Sequence, residues 1–158
     1  MVVWFVATSV LAVYYVFTDV RFDYRWLIVG ALLPDAVDLW TGGAWVMHGL
    51  PSAVVALALV MVVTAGRRPI RRRLIAIPIG MMLHLVFDGA FTDTDVFWWP
   101  FTGGFGDAEV PVVARGWWNV PLEVLGVGLL VWGWRLFGLA DVERRRHFWR
   151  TGRLTSVR

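Results

Sequence analysis

The sequence predicts an all-α protein, a polytopic membrane helical bundle of about five transmembrane helices. Three observations lead to this fold class. Hydrophobic residues make up 58% of the 158 residues, and the mean hydropathy is +0.63. Charged residues contribute only 17%, whereas soluble domains contain roughly 25%. The apolar residues are also gathered into five runs that shorter polar or arginine-rich connections separate.

The five apolar runs cover residues 2–17, 26–40, 47–65, 74–91 and 120–140. Several are shorter than the ~20 residues that a straight span needs, but flanking Trp and Arg can extend them and a bilayer can thin locally. The first run lacks a basic leading segment and a convincing cleavage site, so we expect a retained helix instead of a signal peptide. We therefore predict a single membrane-embedded helical domain, residues 1–143, followed by a basic cytoplasmic tail, residues 144–158.

Arginine placement predicts the orientation of the bundle. Five arginines lie in the connection 67–73, and six more follow Ala140. The positive-inside rule assigns both segments to the cytoplasm. Threading the helices from these anchors places the connection 92–118 outside, where tryptophans would form the outer interfacial belt. The predicted location is the inner (plasma) membrane of a bacterium, with a cytoplasmic C-terminus.

The most informative motif is the pair His84 and Asp88, four residues apart in an apolar run. Helical geometry stacks both side chains on one face, where they could hold a metal ion or exchange a proton. Ionisable groups are costly in hydrocarbon and are therefore candidates for function. A plain ion pair between the two is the structural alternative.

Four further ionisable residues lie in or beside the apolar runs, and each has an ordinary structural alternative. Asp35 follows Pro34 and could mark a kink or a cap. Asp38 lies three residues later, so the two carboxylates repel each other unless a cation or proton lies between them. His48 could be an interfacial histidine at a helix start, and Glu123 could be stabilised by a helix dipole. In the predicted topology all of these groups lie toward the extracytoplasmic side.

From these residues we predict one membrane-embedded site. Its metal ligands are Asp35, Asp38, His84 and Asp88. His48 and Glu123 complete the site or move protons, and are the predicted catalytic groups. Arg115, in the glycine-rich outer connection, is the predicted contact for an anionic head group.

The residue types of this site limit the metals that it could bind. Cysteine is absent from the sequence, so only nitrogen and oxygen ligands are available. Such ligands suit zinc, our first candidate, or manganese or iron, with one or two ions bound. The chain carries no nucleophile elbow, P-loop or serine-triad signature, so a metal-activated water is the predicted nucleophile.

Four short motifs, taken in order, resemble a known family. They are the Gly-Ala-Leu-Leu-Pro-Asp segment 30–35 with Asp38, the His-Gly-Leu-Pro-Ser helix start 48–52, the pair His84 and Asp88, and the Trp-Pro-Phe turn 99–101. The chain resembles the small inner-membrane metal-dependent hydrolases, a LexA-binding family formerly described as a domain of unknown function. The resemblance covers about residues 30–101, and this chain keeps one histidine, His48, where the family pattern has two. It implies metal-dependent hydrolysis, distantly similar to zinc-dependent phospholipase C.

The predicted function is hydrolysis of a lipid-linked phosphoester, such as a polyprenyl phosphate or phospholipid, at the extracytoplasmic face. A site at the lipid interface would meet amphiphiles whose head group reaches the metal. One alternative is a non-enzymatic membrane subunit or ion-path component, which would need a homo-oligomer or a larger membrane complex. Another is a regulator- or nucleic-acid-binding protein that uses the basic tail. Because basic residues beside a last membrane helix more often set topology or touch anionic lipid, we expect a lipid partner and no nucleic acid.

Overall fold

A computed structural model describes residues 1–17, 19, 21–41, 46–102 and 116–157 of the chain. The described residues form helices and connections, with no strand among them. The helices are α1 Val2–Phe17, α2 Tyr24–Thr41, α3 Leu50–Val63, α4 Arg68–Leu74, α5 Ala76–Asp88, α6 Thr94–Phe97, α7 Asn119–Leu136 and α8 Val142–Thr151. Short 3-10 turns cover Val46–His48, Ala90–Thr92 and Gly116–Trp118. The all-α prediction is confirmed.

Each of the five apolar runs contains one long helix, but the boundaries differ from those predicted. The third run begins as a 3-10 turn and becomes helix α3 only at Leu50. The fourth run ends earlier than predicted, because Gly89 terminates α5 in the left-handed conformation, with a φ of 66° that glycine adopts at little cost. Within the part of the chain that the structure describes, no helix is both long enough and apolar enough to cross a membrane.

Two arginine-rich segments that we predicted as a connection and a tail are partly helical. Helix α4 covers most of the connection 67–73 and has Pro69 in its first turn, where the missing N–H of proline is harmless. Helix α8 begins at Val142 after Asp141, whose side chain accepts a hydrogen bond from the Glu143 amide and caps the helix. The predicted tail therefore begins inside a helix.

Several polar residues are buried beside the apolar core, which includes Phe5, Leu27 and Leu85, while many large apolar residues lie outside. Val62 on α3 is 73% exposed and Val124 on α7 is 67% exposed. Exposed apolar side chains occur along much of both helices. The buried polar or charged residues are Thr8, Ser9, Asp23, Asp38, His48, Thr64 and His84. Monomeric soluble proteins rarely expose apolar faces of this extent.

Helices α2 and α5 approach each other closely because two glycines lie at their contact. A Cβ atom at Gly30 would overlap the Ile77 carbonyl, and one at Gly80 would overlap the Leu27 carbonyl. Small residues at such contacts let two helix backbones touch. This close contact places the residues of α5 next to the backbone of α2, which is where the candidate site forms.

Candidate metal centre

Three side chains from different elements converge at one point in the bundle. They are Asp35 from α2, His48 from the 3-10 turn before α3, and His84 from α5. The His48 Nε2 and His84 Nε2 atoms are 3.4 Å apart. The Asp35 Oδ1 atom lies 3.5 Å from each of these nitrogens. The three atoms form a nearly equilateral triangle, and they could hold a metal ion.

The outer nitrogen of each imidazole lies beside an oxygen that accepts a hydrogen bond. His84 Nδ1 lies 2.7 Å from the Ala31 carbonyl oxygen, and His48 Nδ1 lies 2.6 Å from Asp38 Oδ2. Because a carbonyl and a carboxylate accept hydrogen bonds, we assign the Nδ1 proton to both rings. In the neutral rings, each Nε2 atom then presents its lone pair to the centre of the triangle.

The Asp35 carboxylate adds a third lone pair to the same point. Its Oδ1 atom is buried and accepts no hydrogen bond among the described residues. Three lone pairs that face one another at 3.4–3.5 Å repel unless a proton or a metal ion lies between them. This arrangement of two imidazoles and one carboxylate, with the imidazoles held from behind, is typical of metal centres.

The His84 imidazole is held by contacts with α2 and α1. Pro34 lies inside α2 and has no N–H, so the helical hydrogen bond to the Gly30 carbonyl, four residues earlier, is missing. Prolines commonly kink a helix at this point. The carbonyl of Ala31, in the same turn, accepts from His84. On its other side the His84 ring packs against Phe5 of α1, with 4.0 Å between ring centroids.

The 3-10 turn that carries His48 is fixed by the first turn of α3. The Ser52 hydroxyl donates to the carbonyl oxygens of Met47 and Gly49, over 3.2 Å and 2.8 Å. These bonds hold the carbonyls on either side of His48. The short connection from α2 therefore presents the imidazole between two acidic residues, with Asp35 on one side and Asp38 on the other.

The structure assigns different positions to two of the predicted site residues. We predicted Asp38 as a metal ligand, but its Oδ2 atom holds the Nδ1 side of His48, away from the triangle. His48 reaches between the two carboxylates, with Nε2 facing Asp35 and Nδ1 facing Asp38. His48, which we predicted as a catalytic group, is one of the three converging residues.

Asp88 and Glu123 also lie outside the group of three. Asp88 is near enough to both imidazoles for its charge to act on them, although no oxygen of its carboxylate belongs to the triangle. Glu123 accepts hydrogen bonds from the backbone amides of Val3 and Trp4, both over 3.1 Å. It therefore caps the first turn of α1. Its part in proton transfer stays a prediction.

The remaining predicted residue, Arg115, lies outside the described residues.

Three contributors to the site were not predicted: the Ala31 carbonyl, the Phe5 ring and the Ser52 hydroxyl. Ser52 alone left a signal in the sequence, because serine in the first turn of a helix commonly bonds to nearby backbone.

Comparisons with models of protein families, with curated proteins and with solved structures find no match to this chain.

Proposed function

We propose that the protein binds one divalent metal ion, zinc before manganese or iron, through Asp35, His48 and His84. The observation that carries this proposal is the triangle of lone pairs, with edges of 3.4, 3.5 and 3.5 Å. Ligands about 2.1 Å from a tetrahedral ion lie about 3.4 Å apart. Octahedral ligands at the same distance lie only about 3.0 Å apart. The spacing therefore favours a tetrahedral ion.

Three protein ligands leave one tetrahedral position for water or substrate, as in catalytic zinc sites. When bound, such an ion lowers the pKa of water to about 7 and polarises a phosphoryl or carbonyl oxygen. Asp88, whose charge acts on both imidazoles, is the carboxylate that we assign to accept the proton of that water. The proposed activity is metal-dependent hydrolysis.

We further propose that the bundle is embedded in a membrane and that the substrate is a lipid-linked phosphoester. The exposed apolar side chains of α3 and α7 support this, because monomeric soluble proteins rarely expose such surfaces. His84 lies eight residues after Ala76, about 12 Å along α5 from the end that adjoins α4 and its arginines. With those arginines in the cytoplasm, the triangle lies toward the extracytoplasmic face. The resemblance to inner-membrane hydrolases stays a prediction.

A second candidate function is a membrane subunit with a structural metal ion. The burial of the imidazoles favours it: the side chains of His48 and His84 are 2% and 0% exposed. Hydrolysis would require a substrate to reach the ion from the side of Asp35, whose side chain is 16% exposed. Both functions require the metal ion. They differ in whether a substrate is hydrolysed at its fourth coordination position.

Phosphate release from defined lipids tests the hydrolase proposal. The full-length protein is reconstituted in nanodiscs, supplied with zinc, and incubated with phosphatidic acid or a polyprenyl phosphate. We expect inorganic phosphate release that is lost in Asp35→Ala and His84→Ala. The matched controls are Asp95→Ala and His147→Ala, which remove exposed residues of the same types. Zinc-loaded wild-type protein that releases no phosphate from either lipid would contradict this proposal and favour the structural site.

A further inference from the structure

A cavity lined mostly by arginines lies at the end of α5 that adjoins α4, away from His84. Its volume is about 660 Å³, within the range of small-molecule binding sites. Arg68, Arg71, Arg72 and Arg73 of α4 line it, together with Pro69 and Ile75. Two more arginines reach it from distant parts of the chain, Arg21 before α2 and Arg153 after α8.

A network of hydrogen bonds holds the segments of Arg21 and Arg153 beside each other. The Tyr24 amide donates to the Gly152 carbonyl over 2.8 Å. The Arg25 guanidinium bonds to Asp23 over 2.8 Å and to the Trp149 carbonyl at the end of α8 over 2.7 Å. Asp23 is almost fully buried, whereas the Arg25 side chain is 31% exposed. The C-terminal segment is therefore fixed against the start of α2.

The arginines of this cavity carry positive charge that the protein largely leaves uncompensated. Arg72 pairs with Asp19 over 3.3 Å. Among the described residues no other carboxylate forms an ion pair with the six guanidinium groups that line the cavity. The positive-inside rule accounts for arginines at this end of the bundle, but not for the convergence of three separate segments around one cavity. Positive charge that carboxylates do not neutralise attracts anions to this end of the bundle.

We infer that this cavity binds a multiply charged phosphate group, as an anionic lipid head group or as a soluble phosphate compound. Guanidinium groups present paired N–H donors that match two phosphate oxygens. Six of them around a cavity of about 660 Å³ suit one compact anion better than an extended polymer, which would need a basic stripe. The site is independent of the metal centre.

Pyrophosphate binding to the full-length protein in phosphatidylcholine nanodiscs tests this inference. The variant Arg71→Gln/Arg73→Gln removes two guanidinium groups of the cavity and should weaken binding by about ten-fold or more. The control Arg146→Gln/Arg150→Gln removes the same charge from exposed positions of α8 that do not line the cavity. It should change the affinity less than about two-fold.

Adding phosphatidic acid to the nanodiscs distinguishes the two sources of phosphate. If the lipid head group is the ligand, phosphatidic acid blocks pyrophosphate binding in wild-type protein and in the α8 control. If the ligand is soluble, phosphatidic acid does not block pyrophosphate binding. The negative surface of the nanodisc then lowers the affinity slightly, and by the same factor in wild-type protein and in the α8 control. Equal losses in the two double variants, or no pyrophosphate binding by wild-type protein, would overturn the inference. Circular dichroism confirms that each variant is folded.

Discussion

The Nε2 atoms of His48 and His84 face each other at 3.4 Å, although 36 residues separate the two histidines in the chain. Their rings are nearly perpendicular, at 77°, and each is held from behind at Nδ1. Two imidazole lone pairs this close, with the Asp35 oxygen completing the triangle, define a position for a cation. The predictions below follow from this relationship.

Asp38→Asn should weaken zinc binding without abolishing it. Asparagine keeps an oxygen that can accept the His48 Nδ1 proton, but it removes the charge that strengthens this bond and makes the imidazole a better ligand. We expect a loss of about 10- to 100-fold in affinity, measured by competition with a chromophoric chelator. Asp95→Asn serves as the control. An affinity as low as that of His84→Ala would instead make Asp38 a direct ligand.

Metal affinity should fall as the pH is lowered. Both imidazoles must be unprotonated at Nε2 to bind the ion, so protons compete with it directly. Each imidazole that takes up a proton lowers the affinity by up to about ten-fold per pH unit. The same chelator competition, repeated across a pH series, measures the slope. An affinity that does not change with pH would exclude histidine ligands.

Gly80→Ala should destabilise the bundle. The added Cβ would overlap the Leu27 carbonyl and the Ala31 amide, which forces α2 and α5 apart at a cost of about 1–3 kcal/mol. Because this separation also moves the Ala31 carbonyl from His84, zinc affinity should fall with stability. The control is Gly128→Ala in α7, where a Cβ meets no atom within 4 Å. Equal unfolding temperatures for the two variants would contradict the predicted close contact.

Glu123→Gln should lower stability but leave the metal in place. The carboxylate accepts from two backbone amides at the start of α1, and replacing its charge should cost about 1–2 kcal/mol in the free energy of unfolding. The control is Glu143→Gln in α8, an exposed residue. Loss of zinc from folded Glu123→Gln protein would return Glu123 to the metal centre, where the sequence had placed it.

The all-α fold and the approximate positions of the five long helices could be predicted, because apolar runs of this length indicate helices. Asp35 and His84 were identifiable for a related reason, since ionisable groups inside such runs need a partner. The division of roles between Asp35 and Asp38 could not be predicted, because two carboxylates three residues apart look equivalent until the position of His48 is known. The Ala31 carbonyl was also beyond prediction, since a backbone group carries no residue-type signal.

Glu123 shows a different limit of the sequence. A carboxylate in the first turn of α7 suggested stabilisation by the dipole of its own helix, or a place in the site. The structure uses it for the first turn of another helix, α1. Helix pairing of this kind depends on Gly126, which lets the α1 backbone approach at Trp4. Sequence periodicity does not reveal which helices become neighbours.

The metal content of the purified full-length protein tests the central claim most directly. After incubation with zinc and removal of excess ion, elemental analysis should find one zinc per chain in wild-type protein and in the His147→Ala control. It should find none in folded His48→Ala or His84→Ala protein. Folded wild-type protein that retains no zinc, manganese or iron, or variants that retain as much as wild type, would contradict a metal centre at Asp35, His48 and His84.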